Sequence, residues 1–127
     1  MNDVRLLIID DEEIIISVLR DFFTDMGFAV SSASSGKTGL EILSANDFDA
    51  VIVDMRLPDM SGNELLEKAI GLNCRPVYFV HTGSIDYELP QSLRKAGITE
   101  ENIIFKPITD LFGLLTILKE KIGARDK

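Results

Sequence analysis

Two adjacent carboxylates, a third carboxylate, a hydroxyl and an ammonium each follow directly on a short apolar run. Asp10-Asp11 follows Val4-Arg5-Leu6-Leu7-Ile8-Ile9, and Asp54 follows Ala50-Val51-Ile52-Val53. Thr82 follows Val77-Tyr78-Phe79-Val80-His81, and Lys106-Pro107 follows Ile103-Ile104-Phe105. If the three carboxylates share a site they cannot all stay ionised unaided. At ~4 Å and an effective dielectric of about 20, each like-charged pair costs roughly 4 kcal/mol. Either one carboxyl keeps a proton or a cation sits among them. An all-oxygen site selects a hard metal such as Mg2+, which uses one or two carboxylates, waters and phosphate oxygens. Three aspartates are balanced by Mg2+ with Lys106. Phosphorylation of Asp54 would convert its carboxylate to an acyl phosphate facing that metal and that ammonium, with Thr82 placed to donate to a phosphoryl oxygen. Taken singly these residues have blander roles: an Asp-Asp pair caps helices, and Lys-Pro marks a turn. Their joint appearance at the ends of four apolar runs favours the phosphoryl chemistry.

Convergence of residues so far apart in sequence requires a particular architecture. Short apolar runs alternating with helical periodicity read as buried parallel strands. Ile15, Val18, Leu19, Phe22 and Met26 predict a first helix over about 12–26, stopped by Gly27. A second strand follows at 28–33, a weaker helix at about 37–44, and a third strand ending at Asp54. Arg56 to Gly62 is a loop by its Pro and Gly content, and 63–72 resumes helical spacing. Pro90 belongs in a helix's first turn, which places a fourth helix late, at about 89–96, ended by Gly97. The last helix is expected over about 109–122 with Thr109 as N-cap. The fold class is therefore α/β: a doubly wound, five-stranded parallel sheet, flavodoxin-like (βα)5, of strand order 2-1-3-4-5. In such a sheet ligand sites form at the carboxyl ends of the strands, in the crevice between strands one and three.

The chain of 127 residues, 46% hydrophobic and 27% charged, suits one domain, 1–127, with a core over about 4–122. No apolar stretch approaches the ~20 residues that cross a bilayer. The amino terminus lacks a secretory pattern. The lone Cys74 excludes an internal disulfide and reads as a half-buried thiol, so the expected location is cytoplasmic. A net charge of −8 argues against direct contact with nucleic acid or an anionic membrane. The late cations Lys119, Lys121, Arg125 and Lys127 suit the carboxyl end of the last helix. His81, the only histidine, should point away from Thr82's side, towards a helix.

Leu7-Ile8-Ile9-Asp10-Asp11-Glu12, the stretch from Val51 to Gly62 (VIVDMRLPDMSG), Thr82-Gly83 and Lys106-Pro107 together resemble the receiver domain of bacterial two-component response regulators, along essentially the full length. The resemblance implies that Asp54 accepts a phosphoryl group from a phosphohistidine on a sensor histidine kinase or histidine phosphotransfer protein. It implies that Asp11 and the backbone carbonyl of Arg56 join Asp54 in binding Mg2+, for which Mn2+ can substitute, with Asp10 acting through water. Thr82 and Lys106 would hold the phosphoryl group, and the Lys106-Pro107 peptide would be cis. The family's switch aromatic, three positions before the lysine, is Ile103 here, and the stretch from Gly97 to the last strand is about two residues long for the family. Activation is therefore expected to work through the loop after Thr82 and the fourth helix, with Phe105 packed.

Two other readings fit less well. An aspartyl-nucleophile phosphohydrolase of the haloacid dehalogenase type needs a second acid two positions after the first, where this chain has Arg56, and there is no room for a cap domain. A pseudo-receiver used only for docking does not need five intact pocket residues. Flavin is disfavoured by the acidic loop after the first strand. Only a short tail follows Ile122, so a stand-alone domain acting on a downstream protein is expected. The last helix is rich in apolar residues (Leu111, Phe112, Leu114, Leu115, Ile117, Leu118 and Ile122), which suggests a phosphorylation-dependent dimer through the fourth and fifth helices.

Overall fold

A computed structural model describes residues 3–125. The strands are β1 (Arg5–Ile9), β2 (Ala29–Ala33), β3 (Ala50–Asp54), β4 (Val77–Thr82) and β5 (Ile103–Phe105). They alternate with α1 (Glu13–Asp25), α2 (Gly36–Ala45), α3 (Gly62–Gly71), α4 (Gln91–Lys95) and α5 (Leu111–Arg125). All neighbours pair in parallel, in the order β2-β1-β3-β4-β5. The sequence expectation of a flavodoxin-like sheet holds.

The period of two along each strand splits the core in half. Leu7, Ile9, Val51, Val53 and Val80 pack with residues of α2, α3 and α4, such as Leu43, Leu66 and Leu93. Leu6, Ile8, Ile52 and Phe79 pack with α1 and α5 through Phe23, Leu19, Leu115 and Leu118. Strands buried on both faces explain why their sequence is continuously apolar.

Helix ends follow local chemistry. Ser35 and Ser61 accept hydrogen bonds from the backbone N–H groups of Thr38 and Glu64, capping α2 and α3. Gly27 ends α1 in the left-handed region at φ +89, as its position suggests. The fourth helix is shorter than expected, five residues from Gln91. Leu89 is excluded because a residue before proline is pushed out of the helical region, and Pro90 occupies the N-cap. The expected N-cap of the last helix is corrected from Thr109 to Asp110. Asp110 Oδ1 accepts the Gly113 N–H at 2.9 Å, and its carboxylate also faces the positive end of α5. That helix continues past Ile122 to Arg125, whose guanidinium binds the carbonyl and carboxylate of Asp49. Lys121 pairs with Glu101, and Lys127 lies outside the described residues.

The extra length before β5 forms a short 3-10 turn, Glu100–Asn102. Buried Asn102 donates to the Tyr78 carbonyl at 2.9 Å. Phe105 is not packed as expected but 45% exposed. β5 is a three-residue edge strand, and a five-residue α4 spans only roughly 7 Å. Ile103, two residues before Phe105, is half-buried against the α2–α4 core. Among the apolar residues of α5, Leu114, Leu115, Leu118 and Ile122 are buried, while Phe112 and Ile117 remain exposed. Phe112 meets Phe22 of α1 edge to face.

Candidate functional site

Strand alternation decides which polar side chains meet. Ile8, Ile52 and Phe79 belong to the α1/α5 half of the core. Asp10, Asp54 and His81 each come two residues later, so all three lean to that same side at the carboxyl edge of the sheet. Thr82, following Val80 by two, leans to the other. The crevice between β1 and β3 opens above them, as an open α/β sheet requires.

Asp54 ends β3 and is 3% exposed. Its Oδ1 accepts the Arg56 N–H at 3.3 Å and faces Lys106 Nζ at 3.3 Å. Lys106 also donates to Glu12 Oε2 at 3.2 Å. Its backbone N–H bonds the Thr82 carbonyl at 2.8 Å, and its peptide to Pro107 is cis, as expected. Thr82 Oγ1 accepts the Ser84 N–H at 3.1 Å, so the hydroxyl proton is free to point elsewhere. The loop after Asp54 is tied down at Asp59, whose two carboxylate oxygens take the N–H groups of Gly36 and Lys37 at 2.8 and 2.9 Å. These two bonds at the start of α2 hold the Asp59 carboxyl below its usual range.

Asp10 lies deepest. It is buried, its Oδ1 accepts the Glu12 N–H at 2.9 Å, and its own N–H reaches the Ala33 carbonyl at 3.0 Å. One carboxylate oxygen from each of Asp10, Glu12 and Asp54 lies within 4.8 Å of the others. Asp11 is not in that group; it is exposed and lines the cavity above it, together with Asp54, Arg56, Thr82 and Lys106. The cavity encloses about 660 Å³. A somewhat larger hollow, about 740 Å³, opens at the amino ends of the strands around Phe48 and Cys74, but none of these groups reaches it.

The structure thus brings together Asp10, Asp54, Thr82 and Lys106, sets Asp11 at the mouth, and adds Glu12 and Ser84, which the sequence analysis did not assign. Glu12 reads in sequence as a first-turn helix acid, and only the fold turns its carboxylate back to Lys106. Ile103 stands apart from this group, half-buried against the core. Oxygen donors alone, with four carboxylates near one ammonium, suit a hard divalent cation.

The same crowding shifts the titrations. Burial, reinforced by the Asp54 charge, raises the Asp10 carboxyl to about 6 despite the bond from Glu12 N–H. Burial pulls Lys106 down, but the Glu12 hydrogen bond and the charges of Asp54 and Asp10 outweigh it and hold its pKa above the usual value. A carboxyl whose folded pKa is raised binds more protons folded than unfolded, so it removes stability as pH climbs from its unfolded value to its folded one. Asp10→Asn should therefore stabilise the metal-free protein near neutral pH, by up to about 3 kcal/mol for a shift of this size. The gain should shrink as pH falls through about 6 and vanish below pH ~3, where the carboxyl is protonated in both states. Thermal unfolding in chelator at the two pH values checks this; a gain independent of pH would mean that Asp10 is not under charge strain.

Most of the chain is similar to known proteins. A family model described as the response regulator receiver domain matches residues 6–117. The virulence sensor protein BvgS of Bordetella pertussis is 31% identical over 112 residues, covering 83% of this chain and 9% of that protein. The transcriptional regulatory protein QseB of Haemophilus influenzae is 38% identical over 65 residues, 51% of this chain and 29% of its own. The chain thus spans less than a third of these two relatives. A response regulator receiver domain protein (CheY-like) from Methanospirillum hungatei superposes with a TM-score of 0.85 at 30% identity, over 98% of both chains.

Proposed function

The chain belongs to the response regulator receiver domain family, and from that membership we propose that Asp54 is the phosphoacceptor of a two-component or phosphorelay system. A carboxylate oxygen of Asp54 attacks the phosphorus of a phosphohistidine on a partner kinase or phosphotransfer protein. The P–N bond breaks, its electrons stay with the imidazole, and an acyl phosphate forms. The observation that carries this reading is Asp54 itself: a nearly buried carboxylate at the wall of an open cavity, 3.3 Å from an ammonium and beside two further acids.

Asp11, Asp54 and the Arg56 carbonyl would hold Mg2+ or Mn2+, with Asp10 acting through water. When bound, the metal neutralises charge on the phosphoryl oxygens and orients them. Lys106 and the Thr82 hydroxyl secure those oxygens once transferred. The protein is a signalling module that catalyses only its own phosphorylation and dephosphorylation. It would act in the cytoplasm on a downstream protein; among the described residues no helix is long and apolar enough to cross a membrane. Acetyl phosphate with Mg2+ should add one phosphoryl group by intact mass, and chelation of the metal should prevent it.

The signal is proposed to leave through the loop after Thr82. Ile103 is β-branched, half-buried against the core and without a hydroxyl, so it cannot swing as an aromatic switch does. The loop instead carries its own ties: Ser84 N–H to Thr82 Oγ1, and the Tyr87 hydroxyl to Asn63 Oδ1 at 2.5 Å on α3. Beyond it α4 is only five residues long. Movement of Thr82 towards a phosphoryl group would break the first of these ties. Amide exchange with and without beryllofluoride should change mainly over roughly residues 82–98, the loop after Thr82 and the short α4. Changes centred on Ile103 to Phe105, with the Thr82 loop silent, would contradict this route.

A further inference from the structure

The sequence places His81 against a helix and away from Thr82, and the structure agrees: it lines a hollow shared with Ile15, Val18 and Leu19 of α1. That side of the sheet is also the side of Asp10 and Asp54. Asp54 and His81 are register partners across β3 and β4. Over that pair the imidazole Nδ1 reaches to 3.8 Å from Asp10 Oδ2, with both side chains almost wholly buried. Neither imidazole nitrogen has a hydrogen-bond partner, and among the described residues no other buried side-chain nitrogen or oxygen is in that position. An apolar residue would fill this place in β4 without that penalty. A fully buried imidazole is a costly choice for packing alone.

The two oxygens of Asp10 are unequally held. Oδ1 accepts the Glu12 N–H, whereas the nearest basic group to Oδ2 is His81 Nδ1. An imidazole can carry its N–H at Nδ1, the nitrogen that faces Oδ2. Closing the 3.8 Å separation by roughly 0.6 Å would make this a hydrogen bond.

We propose that His81 is a positioning residue for the acidic site: it presents Nδ1–H to Oδ2 of Asp10, fixes that carboxylate beside Asp54, and thereby sets the affinity for Mg2+. The inference rests on the reading of Asp10 as part of the metal site. It differs from that reading in naming a side chain that touches neither metal nor phosphoryl group. Groups that orient metal-binding carboxylates change metal affinity without contacting the ion.

The single histidine makes the first test direct. A long-range 1H–15N correlation on the 15N-labelled protein should show one neutral imidazole protonated at Nδ1. The Nε2-protonated tautomer would overturn the proposal. Mg2+ titration followed by amide chemical shifts supplies the second test. His81→Leu should weaken Mg2+ binding about tenfold. His81→Asn, whose amide nitrogen sits near the place of Nδ1, should recover most of that loss, and His81→Gln should not. In an Asp10→Asn background His81→Leu should change nothing further, because the residue acts through that carboxylate.

Wild-type affinity in His81→Leu, or the same fold loss with Asp10 already neutral, would overturn the positioning role while leaving the metal site intact. Failure of the unaltered protein to bind Mg2+ would overturn both. Thermal unfolding in chelator separates folding from positioning. His81→Leu should still unfold in one cooperative transition well above the titration temperature, so weaker Mg2+ binding in a fully folded protein is the expected signature.

Discussion

Asp54→Asn incubated with acetyl phosphate and Mg2+ is expected to keep its unmodified mass, while the parent protein gains one phosphoryl group. The amide is nearly isosteric with the carboxylate, so the end of β3 and its bond from Arg56 N–H can persist. It has lost the charge that attracts Lys106 and the anionic oxygen that attacks phosphorus. A lost nucleophile cannot be replaced by binding energy, and the initial rate should fall by at least about a hundredfold. The neighbouring acids are poor substitutes. Asp10 is buried and raised to about 6, and Glu12 is engaged with Lys106. The variant should fold, since removing one charge from the cluster relieves repulsion. Labelling of Asp54→Asn at the parent's yield would assign the acceptor to another carboxylate.

The second large effect concerns the backbone that aims Asp54. Gly62, the first residue of α3, donates its N–H to the Met55 carbonyl at 3.0 Å. A Cβ placed on it would lie 2.6 Å from the Asp54 carbonyl oxygen and 2.9 Å from Met55 Cα, and 2.2 Å from the end of the Met55 side chain. The methionine tip can move aside; the two backbone atoms cannot without shifting the residue that would be phosphorylated. Gly62→Ala should therefore cost about 1–3 kcal/mol of stability, read as a lower denaturant midpoint. It should also slow phosphorylation in the fraction that remains folded, because sub-ångström placement governs transfer. An unchanged midpoint would show that the start of α3 yields at no cost, and that the close approach does not hold Asp54.

These two substitutions separate the group that reacts from the frame that holds it. The frame was largely legible beforehand. Runs such as Leu6–Ile9 and Ala50–Val53 can only be strands buried on both sides, and helices with one apolar stripe must cover them. Right-handed crossovers then leave few topologies. The carboxyl ends of the strands are where Asp10, Asp54, Thr82 and Lys106 fall, so their convergence followed from order and period alone.

What the period could not supply is distance. It assigns a side chain to a face and an end of the sheet, but not to a neighbour two strands away. It therefore sent His81 towards a helix without showing that Asp10 leans the same way and meets it at 3.8 Å. It could not show that Glu12 turns back to Lys106 while Asp11 stays at the rim, because both follow β1 within three residues and differ only in how the chain enters α1. Cover is likewise a property of the assembled fold. Phe105 is left exposed on a three-residue edge strand, and the fourth helix is shortened by the backbone restriction that Pro90 imposes on Leu89. Asp110 rather than Thr109 caps α5 because the cap depends on which residue's N–H groups open the helix. The sequence by itself determined which elements form, their order, and the sheet edge at which the chemistry sits. Only the tertiary structure decided which charges touch and which are buried, because those depend on rotamers and packing between segments far apart in the chain.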